Sequence, residues 1–236
     1  MQQVIRFVAA GLAVTAAFLG GCSTTMQMVV PGDVAGVSQV IAATDRSIWS
    51  GALADETFGL GPYRVSRVDR DWDSGSASGF SIADFGFSSG KTEGGYVYLF
   101  ETPEGRMQGQ CLTKVKDAEL SLGSVSFESR VAGLSCICSR GKTEVARVSV
   151  QADITEGYNG ILTTGDRQYK VVSINAREGG WSSGPTGYRI DSDRPIGAVE
   201  VLKPGRIWLA RNFGEPQRGR LACNLAGLML YLPPTD

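Results

Sequence analysis

Apolar and polar residues alternate along most of the chain after Trp49, in short stretches separated by glycine-rich turns. Alternation with a period of two places one face of a β-strand against a core and the other face towards solvent. The clearest stretches are 63–68, 96–100, 125–127, 145–150, 169–174, 197–201 and 206–209. Many short strands of this kind predict a mainly β fold, either an antiparallel barrel or a sandwich. Because strands and helices do not alternate regularly, a parallel α/β sheet is not expected.

Two segments depart from this pattern and predict helices. Apolar residues from Val34 to Ile41 have helical spacing, which predicts a short helix over about 34–43. Near the end of the chain, Pro216 suits a first helical turn and two later prolines stop the segment, which predicts a helix over about 216–232. This last helix is apolar around most of its circumference but too short for a membrane span, so we expect a closed sheet to bury it.

Four short sequences recur in the same order in the two halves of the chain. The matched pairs are 63–65 with 169–171, Trp72 with Trp181, 79–82 with 187–190, and 103–107 with 204–207. One interpretation is an internal duplication whose two copies pair into one closed sheet. The other is that β-proteins reuse the same turn residues.

The first 22 residues have the features of an export signal. Arg6 lies in a short basic start, an apolar run follows, and small residues precede Cys22. With Leu19-Gly20-Gly21-Cys22, the segment resembles the bacterial lipoprotein signal, whose lipobox ends in an obligatory cysteine. The resemblance implies that residues 1–21 are removed and that Cys22 is acylated as the first residue of the mature chain. Ser23, which is not an aspartate, implies sorting to the outer membrane of a Gram-negative host, on its periplasmic face.

The chain is therefore predicted to have three parts: a signal peptide over 1–21, a lipid-anchored stalk with the short helix over 22–48, and a single β-rich domain over 49–236. The domain resembles the tubby-like barrel of tubby C-terminal domains, phospholipid scramblases and LURP-one-related proteins, in which roughly twelve strands surround a hydrophobic C-terminal helix. The segments that carry this resemblance are 186–190, 197–201 and 221–232. The resemblance implies a fold and transfers no lipid-binding residue.

The charge balance and the lack of histidine exclude several classes of function. The chain has 23 basic and 24 acidic side chains, and the signal contains one basic residue, Arg6, so the mature chain has 22 against 24. No basic excess favours nucleic-acid binding. The absence of histidine excludes Ser-His-Asp and Cys-His catalysis and histidine-containing zinc sites. Neither a nucleophile elbow nor a phosphate-binding loop with lysine occurs, and we predict no cofactor.

Four cysteines follow Cys22, and an oxidising periplasm favours disulfides between them. Cys136 and Cys138 share one face if they lie on a strand, where either could meet Cys111. Cys223 lies on the apolar helix, where we expect a buried thiol that is not in a disulfide. Four cysteines allow three complete pairings, and spacing does not choose among them. The alternatives are a redox site or a metal site, but the paired Cys-x-x-Cys spacing that would indicate either is absent.

Two further groups of residues carry candidate binding chemistry. Asp69, Asp71 and Asp73 resemble the start of a calcium loop, although the glycine and bidentate glutamate of an EF-hand are missing, and a solvated face is the alternative. The loops around Trp72 and Trp181 are polar and aromatic, which suits a binding loop. Tryptophans that fold back as local core are the more frequent case.

Together these features predict a lipid-anchored envelope protein with a structural or binding role and no catalysis. Its expected partners are the membrane, through Cys22, and an envelope protein or glycan. One alternative is an envelope enzyme or redox protein that uses the Asp69–Asp73 run or the Cys136/Cys138 pair. Another is a carrier of a hydrophobic ligand, which would need a vacant barrel interior.

Overall fold

The computed structural model describes residues 26–46, 56–70, 91–122, 125–153 and 157–231. In these ranges the chain forms two helices and fourteen strands, so the predicted mainly β fold is confirmed. The helices are α1 (Gly32–Val37) and α2 (Glu215–Leu230). The strands are β1 (Ser38–Thr44), β2 (Phe58–Leu60), β3 (Tyr63–Asp69), β4 (Lys91–Thr102), β5 (Gly105–Leu122), β6 (Val125–Arg140), β7 (Thr143–Asp153), β8 (Gly157–Thr164), β9 (Arg167–Ile174), β10 (Ala176–Arg177), β11 (Gly180–Trp181), β12 (Gly187–Asp191), β13 (Pro195–Glu200) and β14 (Arg206–Ala210).

Twelve of these strands close into one antiparallel barrel, which decides between the barrel and the sandwich. Their order around the barrel is β1-β14-β13-β12-β9-β8-β7-β6-β5-β4-β3-β2, and β2 pairs with β1 to complete the circle. β10 and β11 form a separate two-stranded hairpin. Strand β3 shows the alternation that predicts it, since Tyr63, Val65 and Val68 are buried while Arg64 and Arg67 are exposed.

One strand of the barrel lies where the sequence predicts a helix. Helix α1 ends at Val37, and the chain continues as β1, which pairs with β14 on one side and β2 on the other. The prediction of a helix over about 34–43 is therefore wrong beyond Val37, and the barrel begins before the boundary predicted at residue 49. The spacing was misleading because Val37 and Val40 are exposed, whereas Val34 and Ile41 are buried on two different elements.

Helix α2 runs through the barrel interior, as its apolar circumference predicts. Every residue from Leu221 to Leu230 is buried, and the helix packs against β5, β6, β7, β8, β13 and β14. On β4, the Tyr96 hydroxyl donates to the carbonyl of Gly227 at 2.6 Å and the Tyr98 hydroxyl donates to that of Cys223 at 2.7 Å. Burial raises the pKa of both tyrosines, so both hydroxyls stay protonated and act as donors.

Glycine at position 227 allows α2 to approach the barrel wall closely. A Cβ atom on Gly227 would lie 2.9 Å from Cys136 Sγ, 3.0 Å from the Tyr98 hydroxyl and 3.1 Å from Cys111 Sγ. A Cβ atom on Gly219 would meet its nearest neighbour at 3.5 Å, an ordinary contact. The helix is therefore closer to the wall at Gly227, beside the cysteines of β5 and β6, than at Gly219.

Helix α2 begins at Glu215 near one end of the barrel and ends at Leu230 near the other, and we call these the Glu215 end and the Leu230 end. The Glu215 end carries the turns between β8 and β9 and between β12 and β13. The Leu230 end carries the connection from β9 to β12, which includes the β10–β11 hairpin. At the Leu230 end, β5 and β6 stay paired as far as Leu122 and Val125, beyond the last partner of β5 on β4.

The recurring sequences do not occupy equivalent places in the barrel. Tyr63 and Tyr169 lie near the starts of β3 and β9, and the matched proline-glycine turns precede β5 and β14. Only β4 separates β3 from β5, whereas β12 and β13 both separate β9 from β14. This difference favours the reuse of turn residues over duplication. Trp72 and residues 79–82 lie outside the described residues.

Candidate functional site

All four cysteines of the barrel domain are paired. Cys111 and Cys136 are directly opposite each other on β5 and β6 and lie at disulfide distance. Cys138 is joined in the same way to Cys223 and so links β6 to α2. The expectation that Cys223 is an unpaired thiol is therefore wrong, because the helix brings it to the face that Cys136 and Cys138 share. A paired cysteine offers neither a thiolate nucleophile nor a metal ligand.

Two arginines bind the last carbonyl groups of α2 and share one carboxylate, and we call Arg46, Glu56 and Arg70 the carbonyl clamp. Arg46 donates to Glu56 Oε1 at 2.8 Å and to the carbonyl of Met229 at 2.6 Å. Arg70 donates to Glu56 Oε2 at 2.6 Å and to the carbonyl of Leu230 at 2.8 Å. Carbonyls at a helix C-terminus lack intrahelical donors and carry partial negative charge, so the two guanidinium groups stabilise this helix end.

The clamp keeps the Glu56 carboxylate ionised in a buried position. Burial alone would raise the pKa of Glu56, but the hydrogen bonds and positive charges of Arg46 and Arg70 outweigh burial and hold this pKa below its ordinary value. Burial lowers the pKa of Arg46, whose guanidinium nevertheless remains charged at neutral pH. The clamp therefore has a structural role, since it fixes α2 at the Leu230 end.

The N-terminal segment from Met26 onward lies against the outside of the barrel. The Met28 amide donates to Glu200 Oε1 at 2.6 Å, and Glu200 accepts from Arg206 at 2.7 Å. Buried apolar side chains fix the segment; they are Met28, Val34, Ile174, Ala198 and Trp208. The stalk predicted over 22–48 is therefore attached to the domain from Met26 onward.

The β10–β11 hairpin is joined to this segment and presents Trp181. The Val29 amide donates to the carbonyl of Ala176 at 3.1 Å, and the Glu178 amide donates to that of Gln27 at 2.8 Å. Trp181 is 76% exposed, so the expectation that it folds back as local core is wrong. Its predicted counterpart, Trp72, lies outside the described residues.

The structure describes one of the three aspartates of the predicted calcium loop. Asp69 is the last residue of β3 and is exposed, while Asp71 and Asp73 lie outside the described residues. Within the described ranges, no three or more His, Cys, Asp or Glu side chains are grouped so that they could hold a metal ion. The calcium site at Asp69, Asp71 and Asp73 stays a prediction.

A depression of about 810 Å³ lies at the Glu215 end and is lined by three arginines from three separate segments. Arg167 begins β9, Arg194 lies in the turn before β13, and Arg211 follows β14. The lining also includes Tyr169, Asp193 and Phe213. We call this depression the arginine cleft. Sequence reasoning missed it because its arginines lie far apart along the chain and form no local motif.

Positive side chains outnumber negative ones in the lining of the cleft, and hydrogen bonds hold two of the lining side chains in place. Three arginines face one aspartate, Asp193, among its charged lining residues. Arg211 donates to the carbonyl of Gly36 at 3.0 Å, which positions its guanidinium at one side. The Tyr169 hydroxyl accepts a hydrogen bond at 2.9 Å from Gln217, so the first turn of α2 holds one of the lining side chains. Such an arrangement suits an anionic group, because arginine binds carboxylates and phosphates with two parallel hydrogen bonds.

Neither helix in the described residues is long and apolar enough to cross a membrane. A search of protein-family models, of curated proteins and of solved structures finds no match to this chain.

Proposed function

We propose that this chain is a lipid-anchored envelope protein that acts by binding, with the arginine cleft as its binding site. The observation that carries the proposal is the convergence of Arg167, Arg194 and Arg211 on one depression. Two other findings support it: α2 occupies the barrel interior that a carrier would need vacant, and the four cysteines of the domain are held in pairs. The lipobox ending in Cys22 supports the anchor.

The ligand class that fits the cleft is a carboxylate-bearing envelope glycan. The guanidinium groups of Arg167, Arg194 and Arg211 complement negative charge, and arginine pairs with a carboxylate through two parallel hydrogen bonds. The cleft lies at the Glu215 end, whereas the N-terminal segment leaves the barrel beside the β10–β11 hairpin at the Leu230 end. A protein anchored through Cys22 therefore presents the cleft away from its membrane, towards the cell wall.

The anchor is tested by replacing Cys22 with serine. The wild-type protein is expected in the outer-membrane fraction with an acylated N-terminus, because several acyl chains give durable attachment. The Cys22→Ser variant, exported behind a cleavable signal that lacks a lipobox, is expected in the soluble periplasmic fraction. Fractionation with mass spectrometry of the mature N-terminus measures both. A Cys22→Ser protein that stays with the membrane would refute the anchor.

The cleft is tested by reversing two of its charges. The soluble domain is expected to sediment with purified cell-wall sacculi, and Arg167→Glu together with Arg194→Glu should weaken this binding by about tenfold or more, as for lost charge-assisted hydrogen bonds. The control is Arg64→Glu with Lys142→Glu, an equal charge change at two exposed positions outside the cleft lining. Equal losses in both double variants would show general charge attraction and contradict a cleft site.

A further inference from the structure

Half of the large apolar side chains that are exposed in the described residues lie on two bonded segments, the start of the N-terminal segment and the β10–β11 hairpin, which together we call the corner. Six large hydrophobic side chains are exposed in these ranges, and three of them, Met26, Val29 and Trp181, lie on these two segments. Their exposed fractions are 55%, 47% and 76%. Val29 is hydrogen-bonded to Ala176, and Ala176 pairs with Trp181 across the hairpin. Adjacent strands lie about 4.8 Å apart, so the backbones of Val29 and Trp181 are about 10 Å apart.

The same corner is where the chain leaves the barrel towards the predicted lipid. Cys22 precedes Met26 by four residues, and an extended chain spans at most about 3.6 Å per residue, so Cys22 lies within about 14 Å of Met26. From Gln27 onward the segment is bonded to the hairpin and to Glu200 on β13. A lipid on Cys22 therefore leaves this corner little room to move away from the bilayer surface.

We propose that the β10–β11 hairpin inserts Trp181 into the headgroup layer beside the acylated Cys22 and so fixes the barrel with its Leu230 end towards the membrane. This inference rests on the proposed anchoring. Tryptophan is enriched at the membrane–water interface, because its ring is apolar and its indole N–H can bond to headgroups and water. Met26 and Val29 add apolar area, and Arg177 on β10 supplies a positive charge beside the acidic Glu178 of the turn.

The corner thus provides a second membrane contact in addition to the acyl chains. The contact sets an orientation, which acyl chains at a single attachment point do not. With the Leu230 end held at the bilayer, the arginine cleft at the opposite end faces away from it.

The test uses the acylated mature protein, from Cys22 onward, in vesicles of phosphatidylethanolamine and phosphatidylglycerol, with lipids brominated near the headgroup as fluorescence quenchers. Wild-type emission is expected to be quenched by these lipids. Trp181→Phe should reduce the quenched component about twofold or more, as expected for removal of the tryptophan at the interface. The matched control is Ile161→Trp in the Trp181→Phe background, because Ile161 on β8 is 53% exposed and away from the corner.

The control tryptophan should respond to acrylamide in water and not to the brominated lipids. Equal lipid quenching of wild-type protein and Trp181→Phe, or equal quenching of a tryptophan at position 161, would overturn the orientation. Mass spectrometry of the same sample separates the two proposals. An acylated, vesicle-bound protein with Trp181 open to acrylamide contradicts only the orientation, whereas an unmodified Cys22 contradicts the anchor and with it the orientation.

Discussion

Replacing Glu56 by glutamine is expected to lower the free energy of unfolding by about 3–5 kcal/mol, the usual effect of removing one partner from a buried ion pair. The amide keeps the size of the side chain but removes its negative charge. Arg46, whose side chain is 0% exposed, would then keep its positive charge without a counter-charge, and Arg70 would lose the same partner. Since domains are typically stable by about 5–15 kcal/mol, urea denaturation followed by circular dichroism measures the loss easily.

The matched control is Glu101→Gln, which removes the carboxylate from an exposed ion pair. Arg106 and Glu101 are 72% and 34% exposed in this pair, so solvent screens their attraction. The control is expected to lose less than about 1 kcal/mol. If both variants lost equally little, the clamp would not support the end of α2 as the structure indicates.

The clamp also fixes the direction of the pH dependence. The pKa of Glu56 is lower in the folded protein than in the unfolded chain, so its contribution is complete above the unfolded value of about 4.3 and disappears as the pH falls through the lowered folded value. Glu56→Gln lacks this contribution at every pH. The difference in unfolding free energy between wild type and variant should therefore narrow below about pH 4. A difference that stayed constant in acid would contradict the ion pair.

The barrel and its central helix could be predicted from the sequence because the pattern of apolar residues within each single segment indicates which faces are buried. Alternation in stretches such as 96–100 corresponds to one buried face, and the apolar circumference of 221–230 leaves a helix no surface to expose. Pattern alone failed at β1, where Val37 and Val40 have helical spacing but belong to an exposed helix end and an exposed strand face. Pairing with β14 decides the structure of that segment, and no local pattern reports such pairing.

The sites were less predictable because they are assembled from distant segments. Arg46 contacts Met229 across 183 residues of sequence, and the arginines of the cleft come from three separate segments. The faces of Cys136 and Cys138 were predictable from strand geometry, but their partners depend on the strand register and on the rotation of α2. The exposure of Trp181 depends on a two-stranded hairpin outside the barrel, which the sequence does not distinguish from a loop that folds inward.

The two disulfides should differ in their contribution to stability. Cys138 and Cys223 are separated by 85 residues, whereas Cys111 and Cys136 are separated by 25. If a disulfide acts mainly by restricting the unfolded chain, the longer loop is worth about 4.6 kcal/mol and the shorter loop about 3.5 kcal/mol. The Cys138–Cys223 disulfide also joins α2 to β6, so its loss removes the covalent link that holds the helix in the barrel. The Cys111–Cys136 disulfide joins two strands that are already paired along their length.

We therefore expect Cys138→Ala with Cys223→Ala to destabilise the protein more than Cys111→Ala with Cys136→Ala, by about 1 kcal/mol or more. Each double variant keeps the other pair intact and serves as its control, and both remove two sulfur atoms at buried positions. Urea denaturation of the two variants and of wild type, without reducing agent, gives the comparison. A larger loss from the Cys111–Cys136 pair would contradict this account, because it would mean that the ladder between β5 and β6 needs its cross-link more than α2 needs its own.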